Sequence, residues 1–195
     1  MGLFGIFGNK DKGESMIPAN DTERWITGTY AMWSESTGGR WGYIAGSPEK
    51  NKKEAASMRV MLRNDWEISG KAALLDMVSF LTALYEEGIE CAQEEIDAAA
   101  WDLCRACQIL GMGYVGGYIE RQEMTDASVR VGRIMQKYYH SWGELYDSYL
   151  KGYAKWRREA GAEAEKDITA REELCRRLRD MPEGPCSVAW NLPLA

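Results

Sequence analysis

Hydrophobic positions recur at helical spacing along most of this chain. The clearest case is a stripe of apolar and aromatic side chains that repeats every three or four positions: Trp142, Leu145, Tyr146, Tyr149, Leu150, Tyr153 and Trp156. This period places the stripe on one face of an α-helix. The alternation typical of a strand is not convincing anywhere, although a short strand or turn fits residues 41–45. The pattern therefore predicts an all-α fold, a single compact domain of many helices.

Capping residues divide the first part of this pattern into elements. Asp21 or Thr22 is suited to cap a first helix that continues to about residue 33. A glycine-rich loop follows. Ser47, Pro48 and Glu49 then predict the start of a second helix that runs to about residue 64, because a cap, a proline and an acid suit a first helical turn.

The middle of the chain predicts two longer helices. Ser69 is expected to cap the first of them, and Gly88 stands just past its end. Apolar residues cover nearly its whole circumference, so we expect this helix in the middle of the domain. The second covers residues 94–110 and is expected to end at Gly111 and Gly113, before a short helical piece around Tyr118.

The last part of the chain predicts three helices and a tail. The helices cover residues 125–138, 142–156 and 170–180. Residues 182–195 contain three prolines, so we expect them to be extended. Val188, Trp190 and Leu192 are the apolar side chains that would hold this tail against the helical body.

The amino terminus is predicted to lie outside the helical domain. Residues 1–20 read as a flexible tail, apolar at first and then charged, and residues 21–195 as one helical domain. Residues 2–7 include Phe4 and Phe7, and short segments of this kind can enter a membrane interface. A single apolar turn binds weakly, so we favour a frayed or docked tail over a membrane or partner contact.

Composition narrows the functional classes. The chain has 195 residues, eight tryptophans and a net charge of -6. Binding to a phosphate backbone requires a basic face, so we do not expect a nucleic-acid partner. The five cysteines are an odd number without the spacing of a disulfide framework, and the first residues lack the features of a secretory signal. We therefore predict a cytoplasmic protein.

One polar pair stands out among the aromatic residues. Asp102 and Arg105 are three positions apart on a predicted helix, where an ion pair forms easily, and Glu95 shares their face. Arg105 could hold an anion while Asp102 orients it or moves a proton. The alternative is a buried structural pair that fixes how neighbouring helices pack, and we favour this second interpretation.

Other chemical patterns are incomplete. Cys104 and Cys107 form a Cys-x-x-Cys, but they fall in the middle of a helix and further cysteine ligands lie far away in sequence. His140 is the single histidine, too few for a two-metal helical bundle, and no nucleophile turn accompanies it. The Gly-x-Gly-x-x-Gly that starts at Gly111 follows a helix instead of a strand. We predict no metal, no cofactor and no catalytic residue.

The aromatic stripe of residues 142–156 has two interpretations. The simpler one is that it packs in the core. The other is an aromatic-lined groove for a ligand or a peptide, which gains support because buried tyrosine hydroxyls need hydrogen-bond partners. Tyr146, Tyr149 and Tyr153 crowd one side of this stripe.

Several spaced motifs follow one another along the chain. They are Leu62-x-x-x-Trp66-x-Ile68, Trp101-Asp102-x-x-Arg105, Gly113-Tyr114-x-x-Gly117-Tyr118-Ile119, Gln136-x-x-Tyr139-x-Ser141-Trp142, Tyr149-Leu150-x-Gly152 with Trp156, and the ending Trp190 to Pro193. Their order and spacing over residues 60–193 resemble the bacterial domain of unknown function family DUF1266. The resemblance carries no established activity. It implies a bacterial cytoplasmic origin and directs attention to seven candidate binding positions: Trp101, Asp102, Arg105, Tyr118, Gln136, Ser141 and Trp142.

Two functional hypotheses follow from the sequence. The first, which we favour, is a protein-interaction module, either a regulatory partner or an immunity-type neutraliser of a toxin. The acidic charge and the lack of a complete catalytic set support it. The alternative is a small-molecule or anion-binding enzyme with a polar pocket around Asp102 and Arg105.

Overall fold

Eight α-helices and one two-stranded ribbon make up the part of the chain that the structure describes. The computed structural model describes residues 13–86, 93–161 and 163–195, without the side chains of residues 93–98. The helices are α1 Asp21–Thr29, α2 Ala31–Ser36, α3 Lys52–Trp66, α4 Lys71–Glu86, α5 Gln93–Gly116, α6 Arg121–Tyr138, α7 Trp142–Ala160 and α8 Ala164–Asp180. The strands are β1 Glu14–Ser15 and β2 Glu49–Lys50, which pair antiparallel. The prediction of a compact all-α fold is confirmed.

Helix α5 lies at the centre of this arrangement. It packs against α3, α4, α6 and α7, and its buried side chains include Leu103, Ile109 and Leu110. We expected α5 to end at Gly111 and Gly113, and this was wrong, because the helix continues through both of them to Gly116. The glycines serve close packing. A β-carbon on Gly113 would overlap the side chain of Leu74 in α4.

Helix α4 was expected at the centre and lies at the surface instead. It packs on α5 through residues such as Leu74, Leu81 and Tyr85. On its outer side Phe80 is 77% exposed, and Leu75 is exposed as well. Apolar residues around a whole helix do not determine which of its sides will be packed against other elements. In α4 the described residues pack against one side, the side that faces α5. Within the described residues no lone helix meets the length and hydropathy of a membrane span, although α3 and α4 do so together across a 50° bend.

Several helix starts differ from the predicted ones by a few residues. Asn20 caps α1, and Asn51 caps α3 two residues after the expected Ser47-Pro48-Glu49 start, whose last residue belongs to β2. The N–H of Leu74 donates to the carbonyl of Gly70, so Gly70 and not Ser69 takes the cap position of α4. These shifts leave the order of the helices unchanged.

Three other helices differ from the prediction, one because it is interrupted and two because they begin earlier. The first helix ends at Thr29 and restarts as α2 at Ala31. Helix α6 begins at Arg121 through a capping box between Glu120 and Glu123, four residues before the expected start. Helix α8 begins at Ala164 instead of residue 170.

The chain before α1 packs on the helical body from residue 13 onward. Glu14 and Ser15 pair with β2, and the side chain of Met16 is fully buried. The carbonyl of Met16 also accepts the N–H of Ile44, next to a short 3-10 turn over Ile44–Gly46. The strand considered for residues 41–45 is therefore a turn, with Ala45 in the left-handed region at φ 51°. Residues 1–12, including the apolar segment of residues 2–7, lie outside the described part.

The C-terminal tail packs on the body as expected. After a 3-10 turn over Pro185–Ser187 it runs across α1, α6 and α7. The indole N–H of Trp25 donates to the carbonyl of Trp190 at 3.1 Å, and that of Trp142 donates to the carbonyl of Val188 at 2.7 Å. The side-chain amide of Gln136 donates to the carbonyls of Trp190 and Leu192.

Candidate functional site

A cleft of about 590 Å³ opens between α3, α5, α7 and α8 beside the end of α2. We call it the aromatic cleft. Its lining residues are Trp33, Asp65, Trp66, Trp101, Arg105, Gln108, Tyr149, Tyr153, Trp156, Arg157, Asp167 and Arg171. The volume falls within the range of small-molecule sites, and so does the mixture of rings with a few charged groups.

Trp101 of α5 forms the centre of the aromatic wall. Its ring centre lies 5.2 Å from that of Tyr149, 5.5 Å from that of Tyr153 and 5.6 Å from that of Trp156. These three partners recur along one side of α7 because residues three or four positions apart share a helix face. Trp156 stands at the rim and is 44% exposed. The rings therefore form an aromatic wall that reaches solvent at Trp156.

Arg105 lies between two indole rings. Its guanidinium carbon is 4.6 Å from the ring centre of Trp101 and 5.1 Å from that of Trp66. One of its terminal nitrogens donates to the carboxylate of Asp102 at 2.6 Å, which confirms the predicted ion pair. The Nε of Arg105 is buried without a hydrogen-bond partner among the described residues. The side chain of Glu95, expected in the same polar line, is outside the described part.

Arg171 of α8 also lines the cleft and contacts two rings of the aromatic wall. It donates to the hydroxyl of Tyr149 at 2.7 Å, and its guanidinium carbon lies 4.4 Å from the ring centre of Tyr153. Burial raises the pKa of Tyr149 to about 12, although the nearby Arg171 charge opposes this rise. Tyr149 is therefore neutral near pH 7. No described carboxylate forms an ion pair with Arg171.

The third arginine of the cleft is neutralised. Arg157 of α7 forms an ion pair with Asp167 of α8, in which its Nε donates to the carboxylate at 2.9 Å. The pair joins the two helices at the cleft wall. Its two charges cancel, and Asp102 partly screens Arg105. A ligand in the cleft therefore meets the positive charge of Arg171, while Asp65 adds one carboxylate to the lining.

Four of the seven candidate positions lie away from this cleft. Gln136 and Trp142 hold the C-terminal tail. Ser141 caps α7, where its hydroxyl accepts the N–H of Glu144 at 3.1 Å. Tyr118 follows the end of α5 and packs, half-buried, on the core. Structural roles therefore account for Gln136, Ser141 and Trp142, while Trp101 and Arg105, with Asp102 behind Arg105, belong to the cleft.

The four described cysteines and the histidine are not among the residues that line the cleft. Burial raises the pKa of the Cys107 thiol to about 12, and burial likewise raises that of Cys104, so neither is a thiolate at neutral pH. His140 is exposed, and its backbone N–H donates to Glu144. Among the described residues no cluster of histidine, cysteine or acidic side chains could hold a metal ion.

Sequence reasoning missed about half of the cleft. Trp33, Asp65, Gln108, Arg157, Asp167 and Arg171 come from five different helices and share no local motif. Trp66 stood in one of the spaced motifs, but its contact with Arg105 is a long-range one. Tyr149, Tyr153 and Trp156 were identified as a stripe, and the interpretation of that stripe as a groove wall was the minor one.

The comparisons with known proteins identify a family without an assigned activity. No curated protein and no solved structure matches this chain. The model of the family described as "Protein of unknown function (DUF1266)" matches residues 49–194, which include every lining residue of the aromatic cleft except Trp33. Since this match covers well over half of the chain, the protein belongs to the DUF1266 family.

Proposed function

We propose that this protein binds a small molecule that carries a flat ring and a negative charge, and that the aromatic cleft holds it. The observation that supports this most strongly is the position of Arg171. Its described partners are a neutral hydroxyl and a neutral ring, so its charge remains available to an anion. A guanidinium with free donors binds carboxylate, sulfonate or phosphate well.

The rings beside Arg171 support the part of the proposal that concerns the flat ring of the ligand. Trp101, Tyr149, Tyr153 and Trp156 lie within one wall, with centres 5.2 to 6.4 Å apart where they touch. Planar ligands stack on such rings because offset and edge contacts between π-systems are favourable. The Nε of Arg105 in the same wall is buried and has no described hydrogen-bond partner. Because buried donors normally have a partner, this N–H is a second group that a ligand could accept from.

A matched pair of dyes tests this proposal. Anilinonaphthalene sulfonate (ANS) carries both a ring system and a negative charge, while N-phenylnaphthylamine has the same rings without the charge. Arg171→Met should weaken ANS binding about tenfold, since a charged hydrogen bond is lost, and should leave the neutral dye unaffected. Trp156→Ala should weaken both dyes. Fluorescence titration gives the dissociation constants.

Two control variants keep this test specific. Arg176→Met removes an exposed charge from the same helix, outside the residues that line the cleft, and should change nothing. Phe80→Asp removes the most exposed aromatic side chain of α4 and should also leave ANS binding unchanged. If Phe80→Asp abolishes ANS binding while Trp156→Ala does not, the dye binds on α4 and the cleft proposal is wrong.

Protein binding, of a regulatory or immunity type, is a second proposal, and the outer side of α4 favours it. Phe80, Leu75 and Leu84 are exposed there, and between residues 72 and 85 Asp76 is the single charge. An acidic chain with this surface suits a protein partner whose apolar patch is edged by lysine or arginine.

The free thiols of the described cysteines support a reducing compartment, and we propose the bacterial cytoplasm.

A photo-crosslinker in place of Phe80 tests the second proposal in host cells. The captured protein must then bind the purified wild-type chain and fail to bind the Phe80→Asp variant. Its binding to the wild type should weaken as the salt concentration is raised. Arg171→Met should not affect it. A captured protein that binds Phe80→Asp as tightly as the wild type contradicts docking on α4.

A further inference from the structure

A second cavity of about 340 Å³ adjoins the aromatic cleft at Arg171. We call it the polar chamber. Its lining residues are Glu35, Ser36, Tyr153, Asp167, Ala170, Arg171, Leu174 and Arg177. Tyr153, Asp167 and Arg171 line both spaces, so the two adjoin. Arg171 stands at their junction, where a ligand that reaches from one into the other would pass its guanidinium group.

The polar chamber carries a positive charge of its own. Arg177 is exposed, and no described carboxylate forms an ion pair with it. Of the two acidic residues in the chamber, Asp167 is already neutralised by Arg157. The carboxylate of Glu35 accepts the backbone N–H of Trp41 at 3.0 Å. With Glu35 counted at its full charge, Arg171 and Arg177 still leave the chamber positive.

The two spaces also differ in chemistry. Half of the residues that line the aromatic cleft are aromatic, whereas the polar chamber has one ring, Tyr153, and several charged or hydroxyl side chains. A ligand that fills both therefore has a flat ring at one end and a polar, anionic extension at the other. Arg171 and Arg177 are six residues apart on α8 and both line the chamber, and two guanidinium groups suit an extension that carries more than one negative charge.

We propose that the ligand is a nucleoside phosphate, with its base on the aromatic wall, its first phosphate at Arg171 and a second phosphate at Arg177. This inference rests on the proposed function of the aromatic cleft. Phosphate oxygens match the fork of guanidinium donors, and aromatic side chains stack on any base. The acidic net charge of the protein is no obstacle, because a single nucleotide needs a local positive site and not a basic face.

Calorimetric titration of the 195-residue chain with adenosine, AMP and ADP tests this assignment. In the wild type each added phosphate should tighten binding about tenfold. Arg177→Met should remove the advantage of ADP over AMP and leave AMP unchanged. Arg171→Met should weaken AMP and ADP alike, and neither variant should affect adenosine. Arg176→Met is the control for a charge on α8 outside the chambers.

The outcomes separate this inference from the proposed function. If ANS responds to Arg171→Met as described but ADP binds no tighter than adenosine, the nucleotide assignment is wrong and the ring-and-anion site stands. If Arg176→Met weakens ADP as much as Arg177→Met does, the effect is general charge attraction, and the polar chamber is not a phosphate subsite. If neither ANS nor any nucleotide binds in the cleft, both proposals fail.

Discussion

The guanidinium group of Arg105 lies 4.6 Å from the ring centre of Trp101, one helical turn away on α5. Between them in the sequence, Asp102 binds the same guanidinium through its carboxylate. The Trp-Asp-x-x-Arg motif is therefore a local unit, because all of its contacts lie within one helix. Trp66 of α3 then covers the other face of Arg105 and joins the unit to its neighbour helix.

This unit predicts a cost in stability when Arg105 is replaced. Arg105→Met should lower the free energy of unfolding by about 1–2 kcal/mol, because the contact with two rings is lost and the half-buried carboxylate of Asp102 loses its charged partner. Urea denaturation followed by circular dichroism measures the change. Arg176→Met, which removes an exposed arginine, should stay within about 0.5 kcal/mol of the wild type.

A double-mutant cycle checks the reason for this cost. In an Asp102→Asn background the half-buried carboxylate charge is already gone, so Arg105→Met should cost less than in the wild type. Equal costs in the two backgrounds would show that Arg105 acts through Trp66 and Trp101 alone.

The packing of α4 on α5 gives a second prediction. Gly113→Ala should destabilise the protein by about 1–3 kcal/mol, because the added β-carbon would overlap Leu74 in a well-packed interface. Gly143→Ala is the matched control, since a β-carbon in that first turn of α7 meets only the hydroxyl of Ser141 at 3.5 Å. Thermal unfolding measures the melting temperatures of both variants. Equal melting temperatures for Gly113→Ala and the wild type would contradict close packing between α4 and α5.

Helix periodicity predicted the fold class because it is a local property. The stripe from Trp142 to Trp156 does form α7, and the tail does pack on the body through Trp190. The glycines of α5 misled the prediction, since a glycine that ends a helix and a glycine that admits Leu74 look alike in sequence. The distinction depends on a neighbour that comes from another helix.

The cleft was only partly predictable for the same reason. Asp102 and Arg105 are close in sequence, so their ion pair could be inferred from spacing. Arg171 meets Tyr149 across 22 positions, and nothing in α8 distinguishes it from the exposed arginines beside it. Trp142 and Trp156 belong to one stripe, yet one supports the tail and the other the cleft, which is decided by the helices that pack on each side.

The hydrogen bonds between Gln136 and the C-terminal tail give a third prediction. Gln136→Met should cost about 1–2 kcal/mol and speed the proteolytic cleavage of residues 182–195, because two hydrogen bonds from the amide to tail carbonyls are lost. Gln122→Met, on the exposed side of the same helix, is the control. Limited proteolysis with mass spectrometry reads out the cleavage sites. Equal cleavage rates for the two variants would mean that Trp190 and Leu192 are held by ring packing alone.

The last prediction concerns acid stability and the buried carboxylate of Glu23, which is 4% exposed. Burial favours its neutral form, but hydrogen bonds from Arg121, Ala19 and Thr125 outweigh this and hold its pKa below the ordinary value. A carboxyl whose pKa is lower in the folded state adds stability above its unfolded pKa and loses it as the pH falls through the folded one. Glu23→Gln should therefore be less stable than the wild type at pH 7, with a gap that narrows below about pH 4. Urea titrations at several pH values measure this, and Glu183→Gln, at an exposed position, should follow the wild type throughout. A gap that stays constant down to low pH would show that the Glu23 charge does not stabilise the fold.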